Sequence, residues 1–413
     1  MNDGWDIASF WEKEPRVLDG PRLDEETLFG LAVAAAARRA GLPDPQDVRV
    51  FADDGTVTPA RVDAYLPSAG RDGSFARYAE RMLAAVGSFA LTINSLQQFG
   101  WDFWQTLRRA TDPVLAAGGW SAGGVDCHLI ASVYGTAPTL VHKDTAGVFT
   151  YVVRGFKRFY TWPYEVFAGI AGEEATQRQV NLPASIRPED HLDTATVVEG
   201  GPGSVLYWPS DRWHCAMSDG RLAVSLHLAH YQWDDRLALL LRRVRRLAAS
   251  ELGTGRFEGG PVPEAGPGGD RSTDAQVRKV VSRLVDDSAL DLDLRLRRLK
   301  RRTASNFEVI PPPRPCPDLS ATPGPLTVPE GSVARTLTAD GVTYLAVNGH
   351  ILRITGGAWL DAFLPWLVPG AAHSPEEWAN AAAAAGGPSG PECTAFLGEL
   401  VKRGALTPGE ADA

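Results

Sequence analysis

The chain has 413 residues and a formal net charge of -9, with 44% hydrophobic and 22% charged residues. That is ample apolar material for packed cores, so a wholly disordered chain is excluded, and at roughly 150 residues per domain about two to three domains are expected. Cys127, Cys215, Cys316 and Cys393 are scattered with no CxxC pair, which excludes a disulfide scaffold and a zinc ribbon and fits reduced thiols in a cytoplasm.

The first hundred residues read as mainly helical. Residues 24–40 begin with acids and end with arginines, and Gly41 and Pro43 stop the run. A second helical stretch is predicted over 74–98 and a third over 103–111, ending before Pro113. From about Val125 the texture changes. Short β-branched and aromatic runs alternate with turn residues: LIASVYG, GVFTYVVRG, KRFYTWP, TATVVEGG, SVLYWP and RLAVSLHLAHY. This is the pattern of an antiparallel sandwich or jelly roll.

Helix returns after Trp233. Residues 234–252 are predicted helical, 253–269 a Gly/Pro-rich linker, and 274–302 a second helical region with a basic end. The Pro-dense segment 311–325 forbids helix and central strand alike and marks a boundary. Beyond it, apolar runs over 342–347 and 350–354 flank Asn348-Gly349, a strong hairpin signal. Helical stretches follow around 359–367, 375–385 and 392–403, with Gly404 at a C-cap position. The expected class is α+β. A double-stranded β-helix core with N-terminal helices occupies 1–233, a helical region 234–310, and a small winged-helix-like domain 326–413.

Two segments carry chemistry, TLVHKDTAGVFTYVVRGFK over 139–157 and GSVLYWPSDRWHCAMSDGRLAVSLHLAHY over 203–231. His142 and Asp144 are two apart in a strand-like context, so imidazole and carboxylate project from one face. His214 follows the strand SVLYWP. Two histidines and one carboxylate make the facial set that holds Fe(II) and leaves positions open. Lys157 follows a turn near Arg154-Gly155 and would return along the neighbouring strand. A buried ammonium there needs an anionic partner, and the distal carboxylate of 2-oxoglutarate would supply one. Thr139 could add a hydroxyl to the same carboxylate. Ser225 and His227 share a strand face, and if that face is interior they line the cofactor pocket. Cys215, beside His214, points the other way and is rejected as a ligand.

The motif His142-Lys143-Asp144, its spacing to Lys157, and PSDRWH ending in His214 resemble the jumonji-C class of Fe(II)/2-oxoglutarate oxygenases. The resemblance implies iron at His142, Asp144 and His214, and the 2-oxoglutarate C5 carboxylate at Lys157, with help from Thr139. FWEKEPRVLDG near the N-terminus looks like the entry segment of bacterial ribosomal-oxygenase-type members, which continue with a helical dimerisation region and a winged helix. The chain departs from the family at Val148, where several members carry Asn, and at Ser225 and His227, where the comparable strand often carries an inward Asn. By this resemblance the substrate is a side-chain carbon in a protein or peptide, either a ribosomal protein or a natural-product precursor, hydroxylated with release of succinate and carbon dioxide. A homodimer through the helical region is the expected assembly.

Two other classes of function compete. One is a metal-binding cupin scaffold without turnover. The other is an RNA- or protein-binding module built on the basic runs Arg242, Arg243, Arg245, Arg246 and Arg295, Arg297, Arg298, Lys300, Arg301, Arg302 with the C-terminal domain. The acidic overall balance argues against nucleic acid. No stretch approaches ~18 uninterrupted apolar residues and the N-terminus lacks an apolar h-region, so neither membrane span nor signal peptide is expected.

Overall fold

The computed structural model describes residues 4–39, 47–53, 55–58, 61–171, 179–233, 244, 278–279, 281–283, 288–319 and 324–409. Apart from Val244, the helix expected over 234–252 and the linker over 253–269 lie outside the described residues.

The strands of the larger unit are β1 (Arg16–Asp19), β2 (Val48–Ala52), β3 (Gly55–Thr56), β4 (Phe89–Ile93), β5 (Gly124–Val133), β6 (His142–Lys143) and β7 (Ala146–Arg154). They continue with β8 (Lys157–Trp162), β9 (Val180–Asn181), β10 (Thr196–Gly200), β11 (Ser204–Trp208), β12 (Trp213–Met217) and β13 (Ala223–Tyr231). An 8-stranded sheet runs β1-β11-β7-β13-β5-β4-β2-β3 and a 5-stranded sheet runs β10-β8-β12-β6-β9. From β5 on, with β9 set aside, the chain visits large, small, large, small, small, large, small and large sheet in turn. Within each sheet early strands interleave with late ones, β5-β13-β7-β11 against β6-β12-β8-β10. That is the winding of a jelly roll, a double-stranded β-helix.

Alternation sorts the side chains of the large sheet. Phe149, Tyr151 and Val153 of β7 and Leu226 and Leu228 of β13 face outward, into a core shared with Leu28, Phe75, Tyr78, Trp104 and Leu107. These last come from helices Glu25–Arg38, Phe75–Ala85 and Trp101–Gly118, which cover that face. Asp24 caps the first helix by accepting from the amides of Glu26 and Thr27, as the acid-first pattern predicts.

Two expectations for this region are corrected. The helix predicted over 74–98 ends at Ala85, and Phe89–Ile93 is strand β4, paired with β5 and β2. Alternating Phe89, Leu91 and Ile93 bury into the outer core, so tertiary pairing overrides the helical reading. The next helix also runs through Pro113 to Gly118, because Val114 and Leu115 beyond the proline are buried. Burial of that turn offsets the lost backbone bond.

The basic run after Ser288 is structural in large part. Arg301 is buried and donates to the carbonyls of Ser121 and Ala122 and to Asn306 Oδ1. Arg297 pairs with Glu308, and the guanidinium of Arg302 lies 4.5 Å from the Trp120 ring centroid. Ala304 and Phe307 join the larger unit's core, so the end of the region expected as a separate helical segment packs on that unit.

The C-terminal unit has its own core around Leu345, Phe363, Trp378 and Leu397. It adds β14 (Leu326–Thr327), β15 (Ala334–Ala339), β16 (Val342–Val347), β17 (His350–Thr355), β18 (Ala372–His373) and β19 (Thr407–Pro408), in two 3-stranded sheets where the sequence suggested one hairpin. Asn348 and Gly349 turn the β16–β17 hairpin with φ of 47° and 83°, the left-handed pair that a two-residue turn of this type requires. Among the described residues no helix is long and apolar enough to cross a membrane.

Candidate metal and cofactor site

The interior between the two sheets opens into a cavity of about 580 Å³, within the range of roughly 300–1,000 Å³ typical of small-molecule sites. His142 and His214 are direct partners across β6 and β12, which brings their rings to 4.2 Å between centroids. Asp144 extends the same face, its Oδ2 3.5 Å from His214 Nε2. The three side chains offer ligand atoms that all lie within 4.8 Å of one another.

The orientation of each imidazole has a local cause. His142 Nδ1 is 3.0 Å from the carbonyl of Leu140, and His214 Nδ1 is 3.4 Å from that of Arg212. A carbonyl only accepts, so Nδ1 carries the proton and Nε2 keeps its lone pair for a metal. Leu140 adopts φ 52°, a left-handed conformation that a branched side chain disfavours and that the site sustains. Burial pushes the His214 pKa down to about 3, with His142 adding to it, so the ring is neutral and ready to ligate near pH 7. Cys215 faces the opposite way, into a cluster with Trp162 and Trp213.

Lys157 stands on β8 after a turn made by Gly155 at φ 73°, where a Cβ would meet the Leu222 carbonyl oxygen at 2.2 Å. Its side chain is buried, with Nζ donating to Ser132 Oγ at 3.0 Å and Tyr134 Oη at 3.2 Å. No carboxylate among the described residues pairs with it. The ammonium therefore faces the cavity held by neutral hydroxyls alone.

The remaining sequence candidates fall out differently. His227 lines the cavity from β13, bonded at Nδ1 to Thr150 Oγ1 (3.1 Å) and at Nε2 to Ser225 Oγ (2.9 Å). Burial, then the charge of Lys157, holds its pKa well below the ordinary value, so it stays neutral. Ser225 is fully buried and acts on His227. Thr139 sits exposed at the cavity rim with no hydrogen bond to Lys157; the hydroxyls expected of it come from Ser132 and Tyr134 instead. Val148 lines the cavity with Phe159, Trp208, Ala216 and Ala229, an apolar wall where an Asn was noted as missing.

The sequence reading missed Ser132 and Tyr134, and also Arg49, Asn94, His128 and Tyr231, which line the same cavity. Alternation along β5 carried the signal for some of them. Leu129, Ala131 and Val133 face the outer core, so His128 and Tyr134 had to face the cavity and Ser132 the inner side where Lys157 reaches it. Arg49 carries the same alternation, between Val48 and Val50 of the outer core, but β2 is short and joins the sheet only through β4, so its place on the cavity wall did not follow from it.

Topology and side chains together define a jelly-roll protein with a two-histidine, one-carboxylate site and a buried cation in the same cavity. No family profile matches the chain, and no curated protein does. Among solved structures it is similar to Escherichia coli YcfD, at 17% identity and a TM-score of 0.48 over 97% of each chain. Another structure of YcfD, described as a ribosomal oxygenase in complex with cobalt and 2-oxoglutarate, aligns at 17% identity with a TM-score of 0.47, again over 97% of each chain. SnoK, a non-heme alpha-ketoglutarate-dependent carbocyclase from nogalamycin biosynthesis, aligns at 12% identity with a TM-score of 0.33, over 58% of this chain and 91% of its own.

Proposed function

We propose that this chain is an Fe(II)- and 2-oxoglutarate-dependent oxygenase of the jumonji-C type that hydroxylates a side-chain carbon in a protein or peptide. The observation that carries the reading is the buried Lys157 ammonium, which has no carboxylate partner among the described residues and shares a cavity with the His142, Asp144 and His214 donors. A buried cation left unpaired is costly, so the fold is prepared for an anion that arrives with a ligand. A donor set of two imidazoles and one carboxylate suits a redox-active iron with open positions.

His142 Nε2, His214 Nε2 and the Asp144 carboxylate would hold the iron, and the two Nδ1 bonds to backbone would fix their rings. Lys157 would bind the far carboxylate of 2-oxoglutarate, with Ser132 and Tyr134 aiming the ammonium. Val148, Phe159, Trp208 and Ala216 exclude water from the space between. When bound, iron with 2-oxoglutarate and dioxygen supplies the oxidation of a C–H bond, releasing succinate and carbon dioxide. The substrate is a ribosomal protein or a precursor peptide, the place of action the cytoplasm, and the assembly a homodimer through residues 234–310.

The test is anaerobic titration with Fe(II) and then 2-oxoglutarate, following the weak visible charge-transfer band. The band should form with both ligands and be lost or badly weakened in Lys157→Ala. Metal binding without a 2-oxoglutarate band would favour the scaffold reading. Salt-dependent RNA affinity that survives His142→Ala would favour the RNA-binding reading.

A further inference from the structure

The cavity holds a second cation that the proposed chemistry leaves unused. Arg49 stands on β2, outside the jelly roll. Register sets it opposite Thr92 of β4, which is in turn opposite Ile130 of β5, and all three line the cavity. Arg49 is half-buried, and its Nε is shielded from solvent with no hydrogen-bond partner among the described residues. No carboxylate among the described residues pairs with it. Of the carboxylates on this side of the fold, Asp126 of β5 accepts from the amide and hydroxyl of Ser95 and from Gln97 Nε2, and Asp144 is held beside His214.

The network beside Arg49 leaves one further donor. His128 Nδ1 lies 3.0 Å from Asn94 Oδ1, and His128 Nε2 lies 3.1 Å from Tyr231 Oη. The amide oxygen can only accept, so Nδ1 carries the proton and Nε2 accepts from the Tyr231 hydroxyl. Asn94 spends its oxygen on the imidazole and keeps its amide hydrogens to give. Arg49 and Asn94 thus line one stretch of the wall as donors, with the uncharged Thr56 and Thr92 beside them. A guanidinium with a buried, unmatched N–H is built for a carboxylate, which it meets through paired hydrogen bonds.

Resting on the oxygenase reading, we infer that the substrate carries a carboxylate that Arg49 receives, as an acidic side chain or a chain end close to the oxidised carbon. Lys157 on β8 and Arg49 on β2 belong to different sheets, so one cation serves the cosubstrate and the other selects the substrate.

The experiment uses the full chain loaded anaerobically with Fe(II) and 2-oxoglutarate. Blocked pentapeptides carrying Asp, Asn, Glu, Gln or Lys at the centre are titrated against the charge-transfer band, with one further peptide that has a free C-terminal carboxylate and no acidic side chain. An acidic peptide should perturb the band at least about tenfold more tightly than its amide counterpart. Whether the side-chain or the chain-end peptide does so identifies the source of the carboxylate. Arg49→Gln should erase the preference, and Arg49→Lys should keep it in weakened form. Equal response to all peptides, no response at millimolar concentration, or preference for the Lys peptide overturns the inference. So does an Arg49→Gln variant whose main defect is weaker 2-oxoglutarate binding, since Arg49 would then serve the cosubstrate. Absence of the band before any peptide is added is a different failure, that of the oxygenase reading itself.

Discussion

Two histidines three residues apart on β13 meet opposite conditions. His227 faces the interior, and both of its ring nitrogens are bonded, to Thr150 and Ser225. His230 faces the outer core, packed edge-on against Trp11 and Phe149, and neither of its nitrogens has a partner among the described residues. The contrast extends along the sheet. Thr150, Ser225 and Ser132 are buried on the inner face, while Phe149, Tyr151, Leu226 and Leu129 alternate with them on the outer face. One set of strands therefore separates two tasks by parity alone. The outer face supplies stability through apolar area, and the inner face holds polar groups in place for a ligand at some cost to the fold.

Single substitutions on either side should separate these tasks. The largest effect is expected at the metal site. Asp144→Ala should lower 2-oxoglutarate turnover by more than about 100-fold while leaving thermal unfolding nearly unchanged, since the carboxylate is partly exposed and its close contact is His214. Full activity in that variant would remove the metal assignment. On the other face, Phe149→Ala should cost about 3–5 kcal/mol, because the ring is fully buried and stacks on Trp5 and Trp11. Denaturant titration measures that loss, and the charge-transfer band of the protein that remains folded should persist. A lost band with little loss of stability would mean that the two faces are not separable.

Lys157 should move function and stability in opposite directions. Lys157→Met removes a buried charge that, among the described residues, Ser132 and Tyr134 offset. The apo variant should be more stable than the parent by about 1–3 kcal/mol, yet bind 2-oxoglutarate more than about 100-fold more weakly. If the variant unfolds at or below the parent's temperature, the two hydroxyls and the Tyr134 ring already satisfy the ammonium, and its readiness for an anion is not the reason for its burial.

The same parity explains what could be read in advance. His142, Asp144, His214 and Lys157 were legible because their spacing on short strands is local, and the pairing of β6 with β12 needed only the jelly-roll order to follow. The outward turn of Cys215 was legible for the same reason. Ser132 and Tyr134 were within reach by alternation, but their role depends on β5 lying where Nζ of Lys157 can reach it, a contact between residues 25 and 23 apart in sequence. Thr139 was assigned a hydroxyl contact from its place three residues before His142 and from the resemblance, and the fold sets it at the rim. Strand β4 was hidden by the Ala- and Leu-rich sequence around it, and with β4 went Arg49, which reaches the cavity only through that strand.

The smallest expected effect tests the orphaned imidazole directly. Burial pushes the His230 pKa down to about 3, from an ordinary value of about 6.5. Below about pH 6.5 the unfolded chain takes up a proton there, and the folded chain does not until about pH 3. Stability therefore falls as the pH drops through that window, by up to about 1.4 kcal/mol per pH unit for each such histidine. His214 contributes in the same direction in the metal-free protein, as its pKa is also pushed down to about 3. His230→Leu keeps the apolar contacts with Trp11 and Phe149 and removes one titrating group from the outer face. Denaturant titrations of the metal-free protein between pH 7 and pH 5 should show a shallower slope in the variant, smaller by up to about 1.4 kcal/mol per unit. An unchanged slope would mean that His230 already finds a proton donor or acceptor in the folded state, such as a buried water, and that the outer face is less dry than its apolar lining implies.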